Sequence, residues 1–172
     1  SACFNCKIQF GIGSRHHCRR CGNTYCAKCS SNRAPLLLYG IKTPERLCDS
    51  CFALTPAENE LAATHLPLLE RGMTCAMGFF KEMVIVKLSG DAIVVLDKGT
   101  KPRHSFALPQ LSVEAEGKVR MSINNVKLDA VGTRDRDAFV RAAKAAAAAA
   151  KQPDLATTVD TARKKQKYDY AK

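Results

Sequence analysis

The chain has 172 residues and carries 27 Lys and Arg against 16 Asp and Glu, a formal net charge of +11 at pH 7. Hydrophobic residues make up 46% and charged residues 25% of it, proportions that are typical of a globular protein and argue against disorder throughout. No apolar run reaches the roughly 18 residues that a membrane-spanning helix needs, so the sequence predicts no transmembrane segment.

Eight of the nine cysteines form four Cys-x-x-Cys pairs, which are Cys3/Cys6, Cys18/Cys21, Cys26/Cys29 and Cys48/Cys51. A Cys-x-x-Cys turn directs two sulfur atoms at one tetrahedral zinc ion about 2.3 Å from each, and two such turns complete a closed structural site. A disulfide scaffold is the alternative, but four pairs at this spacing favour two zinc ions. Retained thiols predict a reducing compartment, the cytosol or the nucleus. The spacing leaves open whether the pairs combine consecutively or interleave.

The excess positive charge lies mainly in the cysteine-rich third of the chain. Residues 1–52 hold eight basic and two acidic side chains, whereas residues 53–151 hold fourteen basic and eleven acidic ones. An anionic partner is therefore expected at residues 1–52. This segment is too short to bury a competent core, so the metals are expected to hold it together. Its small apolar cluster is predicted to contain Phe4, Phe10, Tyr25, Leu36, Leu37, Leu38 and Phe52.

The motif around the second cysteine pair carries a family resemblance. It reads Ser14-Arg15-His16-His17-Cys18-Arg19-Arg20-Cys21-Gly22, and Arg46-Leu47-Cys48 opens the fourth pair. The sequence resembles a FYVE zinc finger over residues 1 to about 54, whereas RING fingers share the cysteine spacing but lack the basic His-His-Cys-Arg segment. The resemblance implies interleaved ligation by Cys3, Cys6, Cys26 and Cys29 at one zinc and by Cys18, Cys21, Cys48 and Cys51 at the other. It also implies recognition of phosphatidylinositol 3-phosphate on the cytosolic faces of endosomal membranes.

The basic residues of this motif suit a phosphomonoester. Guanidinium groups bind phosphate oxygens bidentately, and rigid turns anchored by zinc would reduce the entropy lost on binding. The resemblance implies that Arg19 and Arg46 hold the 3-phosphate with Arg15 beside them. It also implies that His17 reaches the inositol hydroxyls, and His16 is expected to brace the pocket.

The sequence departs from the family pattern around its first cysteine pair. The Trp-x-x-Asp motif that the family carries just before the first cysteine is absent from this sequence, and Ser14 stands where the signature has its first basic residue. The family also inserts an apolar tip into the bilayer from the segment between the first two pairs. Ile12, which lies between two glycines, is predicted to be that tip, with Ile8 a weaker candidate and Phe10 packing inward.

The rest of the chain predicts a helix, several strands and a last helix. Residues 55–71 predict a connecting helix with Thr55 as N-cap, Pro56 at the first position and Glu58 three residues after the cap. Beyond Gly72 the pattern predicts short antiparallel strands at 83–88, 92–96, 104–108, 111–113, 118–123 and 126–131, with turn signals that include 98–99 and 124–125. The last helix is predicted to be capped by Thr133 or Asp135, to bury Phe139, Val140 and Ala143, and to end near Lys151, before Pro153.

The order of these strands and the last helix resembles a pleckstrin-homology domain over about residues 66–151. Lipid-binding members carry alternating Lys and Arg on their first two strands, whereas the matching stretch 77–82 offers one lysine beside an acid, so no phosphoinositide pocket of that type is expected. The predicted fold is thus a small two-zinc finger (1–54), a helical linker (55–71), an α+β pleckstrin-homology-like barrel capped by a C-terminal helix (72–151) and a basic tail (152–172). Cys75 is predicted to be a buried small apolar residue.

The sequence favours a non-catalytic membrane-recruitment module, cytoplasmic and peripheral on endosomal membranes. The alternative is a protein-interaction scaffold with a degenerate lipid pocket, which docks to a cytoskeletal or trafficking protein through the barrel or the basic tail. A specific nucleic-acid partner is not expected, because phosphate contacts without base-reading elements are unspecific. No catalytic constellation or phosphate-cradling loop occurs, so an enzyme is not expected either.

Overall fold

The computed structural model describes residues 1–97 and 100–152, which divide into two compact units. The first unit contains Ser1–Glu60, and the second begins at Leu61. The predicted turn at 98–99, the Pro153 stop and the predicted basic tail beyond residue 152 lie outside the described residues.

Two short antiparallel hairpins precede the helix of the first unit. The strands are β1 (His16–His17), β2 (Thr24–Tyr25), β3 (Asn32–Leu36) and β4 (Ile41–Leu47), with β1 paired to β2 and β3 to β4. A 3-10 turn over Leu37–Tyr39 joins β3 to β4 and ends at Gly40, whose φ of 74° strains any residue with a side chain. Both hairpins end next to cysteine pairs, so their pairing fixes where the cysteines point.

Helix α1 (Asp49–Glu60) begins inside the fourth cysteine pair, so the predicted start at Thr55 is wrong. The N–H of Phe52 donates to the carbonyl of Cys48 at 2.9 Å, and the cysteine turn thereby continues directly into the helix. Thr55 is not a cap: its hydroxyl donates to the Cys51 carbonyl at 2.8 Å within the helix. Pro56 lies in the helix interior, where it forgoes one backbone hydrogen bond. The local cap signal was overridden by the turn that precedes it.

The second unit opens with helical segments. Residues Leu61–His65 have π-helical geometry, and α2 (Leu66–Arg71) follows and ends at Gly72. Gly72 has a φ of 73°, and a Cβ there would lie 2.6 Å from the Cβ of Lys87. Only glycine therefore allows α2 to end this close to the sheet.

A seven-stranded antiparallel sheet forms the body of the second unit. The strands are β5 (Met73–Met77), β6 (Glu82–Ser89), β7 (Ala92–Asp97), β8 (Lys101–Ala107), β9 (Val113–Glu116), β10 (Arg120–Ile123) and β11 (Val126–Ala130). Their order is β8-β7-β6-β5-β11-β10-β9. This curled sheet with one long C-terminal helix, following a cysteine-rich finger of short hairpins, confirms the predicted fold class.

Two strands differ from the sequence prediction. Strand β5 was not predicted, because only Cys75 is fully buried in it and the apolar alternation is therefore weak. The predicted strand at 111–113 is wrong: Leu111 closes a 3-10 turn over Leu108–Gln110, and β9 starts at Val113. Both Leu111 and Val113 are buried, which explains why their alternation imitates a strand.

The C-terminal helix packs its predicted face into the core. Helix α3 (Thr133–Ala150) buries Phe139, Val140 and Ala143, as predicted. The predicted side-chain cap is wrong, because Gly132 occupies the N-cap position and the Thr133 hydroxyl donates to the Lys118 carbonyl at 3.0 Å. The buried sheet residues include Val84, Val86, Ile93, Val95, Met121, Ile123 and Leu128.

Cys75 is fully buried in this unit, as predicted. Burial, together with the negative charge of Asp129, raises the pKa of its thiol to about 12. The thiol therefore stays protonated and behaves as a small apolar side chain.

Candidate functional site

The first cluster of thiols combines the first and third cysteine pairs. The sulfur atoms of Cys3, Cys6, Cys26 and Cys29 all lie within 4.8 Å of one another. Each pair sits on a hydrogen-bonded turn, closed by the Lys7 N–H on the Cys3 carbonyl at 3.0 Å and by the Cys29 N–H on the Cys26 carbonyl at 3.2 Å. These turns direct both sulfurs of a pair to the same side.

The second cluster combines the second and fourth pairs, Cys18, Cys21, Cys48 and Cys51, again with all four sulfur atoms within 4.8 Å. Cys18 follows β1, and its turn closes through the Gly22 N–H on the Cys18 carbonyl at 2.9 Å. Cys48 follows β4, and Cys51 lies in α1. The grouping of pairs, which spacing left open, is thus interleaved.

Both clusters fit a tetrahedral zinc ion. Four sulfurs about 2.3 Å from a central zinc lie about 3.8 Å from one another, and the Cys6 and Cys26 sulfurs lie 3.7 Å apart. That separation is too long for a disulfide, and none of the nine cysteines is in a disulfide. The two four-cysteine groups match the predicted cofactor, two zinc ions.

The surroundings of two of these thiols favour the ionised form that binds zinc. Burial raises the pKa of Cys3, but hydrogen bonds from three backbone N–H groups outweigh it and lower the pKa to about 6. The same opposition lowers the pKa of Cys18 to about 7. Zinc is bound by thiolates, so the backbone at Cys3 and Cys18 favours the ligand state, whereas burial raises the pKa of Cys21 and Cys51 in the second cluster.

The core of the first unit is built largely from these cysteines. Its buried residues are Cys3, Cys18, Cys29, Cys48, Cys51, Tyr25, Leu36 and Leu47, and Phe10 packs against them. Phe4 and Phe52, which were predicted to join this cluster, are 57% and 38% exposed. The Phe4 ring lies outside the core, where its edge meets Tyr25 and the Lys7 ammonium lies over its face.

The predicted basic residues lie on elements that the cysteines anchor. Arg15 and His17 are exposed, and His16 is half-buried in β1. Arg19 lies in the turn of the second cysteine pair, and its N–H donates to the carbonyl of Arg46 in β4 at 2.9 Å. One backbone hydrogen bond therefore joins the two elements that carry these arginines.

Protein acceptors contact each of the three arginines. The Arg15 guanidinium donates to the Ser1 hydroxyl at 2.8 Å, and Arg46 donates to the Ser30 carbonyl at 2.7 Å. Glu45 lies 3.5 Å from the Arg19 guanidinium. Neither Ser30 nor Glu45 was predicted from the sequence, although the position of Glu45 directly before Arg46 was an available signal.

Ile12 projects fully into solvent between Gly11 and Gly13, which are both exposed. Ile8 is 59% exposed, and Ser14 folds back to donate its hydroxyl proton to the Gly11 carbonyl at 2.9 Å. Within residues 1–97 and 100–152, no helix is both long enough and apolar enough to cross a membrane.

Together, the two interleaved four-cysteine clusters and the hairpins around them define a two-zinc finger. The family model of the FYVE zinc finger matches residues 1–56, and this part of the chain is a FYVE zinc finger. The match does not include the second unit, so its resemblance to a pleckstrin-homology domain stays a prediction.

Similarity to curated proteins covers about a third of the chain. Hepatocyte growth factor-regulated tyrosine kinase substrate of Drosophila melanogaster is 36% identical over 80 residues, 37% of this chain and 10% of that protein. Human Rabankyrin-5 is 42% identical over 53 residues, 30% of this chain and 4% of that protein. Vacuolar protein sorting-associated protein 27 of Saccharomyces cerevisiae is 50% identical over 52 residues, which are 30% of this chain and 8% of that protein. The chain therefore spans a tenth or less of the length of these relatives.

A solved structure of the VHS and FYVE tandem domains of Hrs, described as a protein involved in membrane trafficking and signal transduction, is 42% identical to this chain. The match covers 30% of this chain and 24% of that one, with a TM-score of 0.30.

Proposed function

We propose that the first unit is a non-catalytic membrane-recruitment module that binds phosphatidylinositol 3-phosphate and makes the protein peripheral on endosomal membranes. Its pocket consists of Arg15, His17, Arg19 and Arg46, with His16 as a brace. The eight paired cysteines bind two zinc ions, which supply rigidity and no chemistry of their own. The FYVE match and the relative named for vacuolar protein sorting support this function.

The backbone hydrogen bond between Arg19 and Arg46 is the observation that carries the proposal. It joins the backbones that carry the two arginines, on elements that zinc would make rigid, so both side chains start from neighbouring and fixed backbone positions. Glu45 does not prevent this, because an ion pair with a 65% exposed arginine is weak and a phosphate offers nearly two charges. Arg46 donates one of its five N–H groups to Ser30, and the other four can donate to a ligand.

Replacing Arg19 and Arg46 by alanine is expected to remove the lipid specificity. Each charge-assisted hydrogen bond contributes about 1.5–3 kcal/mol, so each variant should weaken binding roughly 10- to 100-fold. The measurement is sedimentation of the full chain with phosphatidylcholine vesicles that do or do not contain phosphatidylinositol 3-phosphate.

Arg141→Ala, which removes an exposed charge from α3 in the second unit, is the matched control and should pellet like the wild type. Equal pelleting of the wild type on both vesicle types, or undiminished pelleting of Arg19→Ala and Arg46→Ala, would contradict the proposal. Zinc content of every variant shows whether the fold is retained.

Ile12 is proposed to enter the bilayer beside the headgroup. Burying one isoleucine contributes at most about 1.5–3 kcal/mol, so Ile12→Ser should weaken vesicle binding by up to about 100-fold. The affinity of the Ile12→Ser variant for soluble inositol 1,3-bisphosphate, measured by calorimetry, should equal that of the wild type, because Ile12 has no bilayer to enter in that experiment. Val131→Ser, at a 78% exposed apolar residue of the second unit, is the control. A parallel loss of vesicle and soluble-headgroup binding in Ile12→Ser would contradict insertion.

A protein-interaction scaffold is the second candidate, and the tip of the β5–β6 hairpin favours it. Phe79 and Phe80 are 93% and 86% exposed, with their rings edge to face at 5.4 Å. Lys81, in the same turn, forms an ion pair with Asp129, which Arg120 also contacts at 2.8 Å. Those two cations lower the pKa of Asp129 to about 2, so the charge of this ion pair persists at neutral pH. Equal pelleting of the wild type on both vesicle types in the sedimentation experiment would favour this function.

A further inference from the structure

Arg20, directly after the family signature, turns inward where Arg19 turns outward. The Arg20 side chain is 8% exposed and that of its partner Glu58 is 7% exposed. The guanidinium binds the carboxylate bidentately: Nε donates to Oε2 at 2.9 Å, and Nη2 donates to Oε1. This pair is therefore nearly excluded from water, unlike the exposed pair of Arg19 with Glu45.

The same guanidinium reaches a cysteine of the second cluster. Arg20 Nη1 donates to the sulfur of Cys51 at 3.6 Å. Cys51 and Glu58 lie seven residues apart in α1, which is two helical turns, so one face of the helix presents both acceptors to Arg20. The hydrogen bond to Glu58, followed by that to Cys51, raises the pKa of Arg20, which stays charged.

We propose that Arg20 is a positioning residue of the second zinc centre, which orients and stabilises Cys51 as a ligand, and that Glu58 anchors it from α1. An N–H donor to a bound thiolate offsets part of the negative charge that four thiolates bring to one zinc. Because Arg20 lies in the turn of one cysteine pair and Cys51 and Glu58 lie in the helix of the other, the bidentate pair also ties α1 to the finger. This inference concerns zinc retention and is independent of lipid binding.

Losing Arg20 removes the donor from Cys51 and leaves the Glu58 carboxylate buried without its cation. Removing a residue that hydrogen-bonds to a metal ligand typically lowers the metal affinity about 10- to 100-fold. Arg20→Met should therefore release one zinc ion at about 10- to 100-fold lower chelator concentration than the wild type. The other ion, at the first cluster, should be retained as before.

The experiment titrates the zinc-loaded full chain with a chromogenic chelator and counts the ions released. Lys28→Met is the matched control, since Lys28 is an exposed basic residue at the same place in a Cys-x-x-Cys turn of the first cluster. Hydrogen exchange of peptides covering α1 reports whether the helix stays docked. Arg20→Met should increase exchange in α1, and Lys28→Met should change neither measurement.

The double variant Arg20→Met/Glu58→Met separates zinc positioning from a purely structural ion pair. It leaves no buried unpaired charge, so α1 should regain slow exchange, yet Cys51 still lacks its donor and one zinc should still be released early. Wild-type zinc retention in Arg20→Met or in the double variant would overturn the proposal. Equal weakening of both zinc ions would overturn it as well, because the contact involves only the second cluster.

Discussion

Removing zinc is expected to unfold the first unit, Ser1–Glu60, while the sheet of the second unit stays folded. Five of the eight buried residues in the core of the first unit are cysteines of the two clusters. Without zinc, the other buried side chains of this cluster are Tyr25, Leu36 and Leu47, and thiolates brought together without a cation repel one another. Binding energy of structural zinc is therefore folding energy for this unit.

The measurement is hydrogen exchange of the full chain before and after dialysis against a zinc chelator, with zinc content determined in parallel. Peptides from β3, β4 and α1 should lose protection, and those from β6, β7 and α3 should keep it. Two variants serve as a matched pair. Cys26→Ser should lower the zinc content by one ion, whereas Cys75→Ser, at a buried cysteine outside both clusters, should bind as much zinc as the wild type.

Unchanged protection of the first unit after complete zinc loss would contradict this expectation. So would equal zinc loss in Cys26→Ser and Cys75→Ser, because the two clusters contain every cysteine except Cys75.

The sequence predicted two zinc sites built from four cysteine pairs because the geometry of each pair is local. A Cys-x-x-Cys turn has one compact form with both sulfurs on one side, so the four pairs could be placed before any long-range contact was known. The interleaving of the pairs, by contrast, depends on contacts between distant segments. Spacing left it open, and only the resemblance to a FYVE zinc finger implied it; in the structure it follows from β1 and β4 delivering Cys18 and Cys48 to the same cluster.

Other features could not be predicted because they arise between distant segments. Arg20 was one basic residue among eight in residues 1–52, and its role appears only when α1 brings Glu58 beside it, 38 residues later in the chain. Thr55 and Pro56 formed a sound local signal for a helix start, yet α1 had already begun in the preceding cysteine turn. Strand β5 has little apolar alternation of its own and is defined by pairing with β6 and β11.

Replacing Phe139 by alanine is expected to destabilise the second unit severely. The ring is fully buried on the inner face of α3. Phenylalanine-to-alanine changes in a core typically cost about 3–5 kcal/mol, because lost burial adds to the cavity that remains. A domain is stable by about 5–15 kcal/mol in total, so this one change removes a large fraction.

The free energy of unfolding of the second unit is best followed by urea-dependent hydrogen exchange in peptides of α3 and β10, since the chain contains no tryptophan for fluorescence. Phe79→Ala is the matched control, because it is the same chemical change at a side chain that is 93% exposed in the same unit, and it should stay within about 0.5 kcal/mol of the wild type. Zinc content should be unaffected in both variants, since both clusters lie in the first unit. Equal destabilisation by the two changes would mean that Phe139 does not hold α3 to the sheet, and a loss of zinc in Phe139→Ala would mean that the finger depends on the second unit for its own fold.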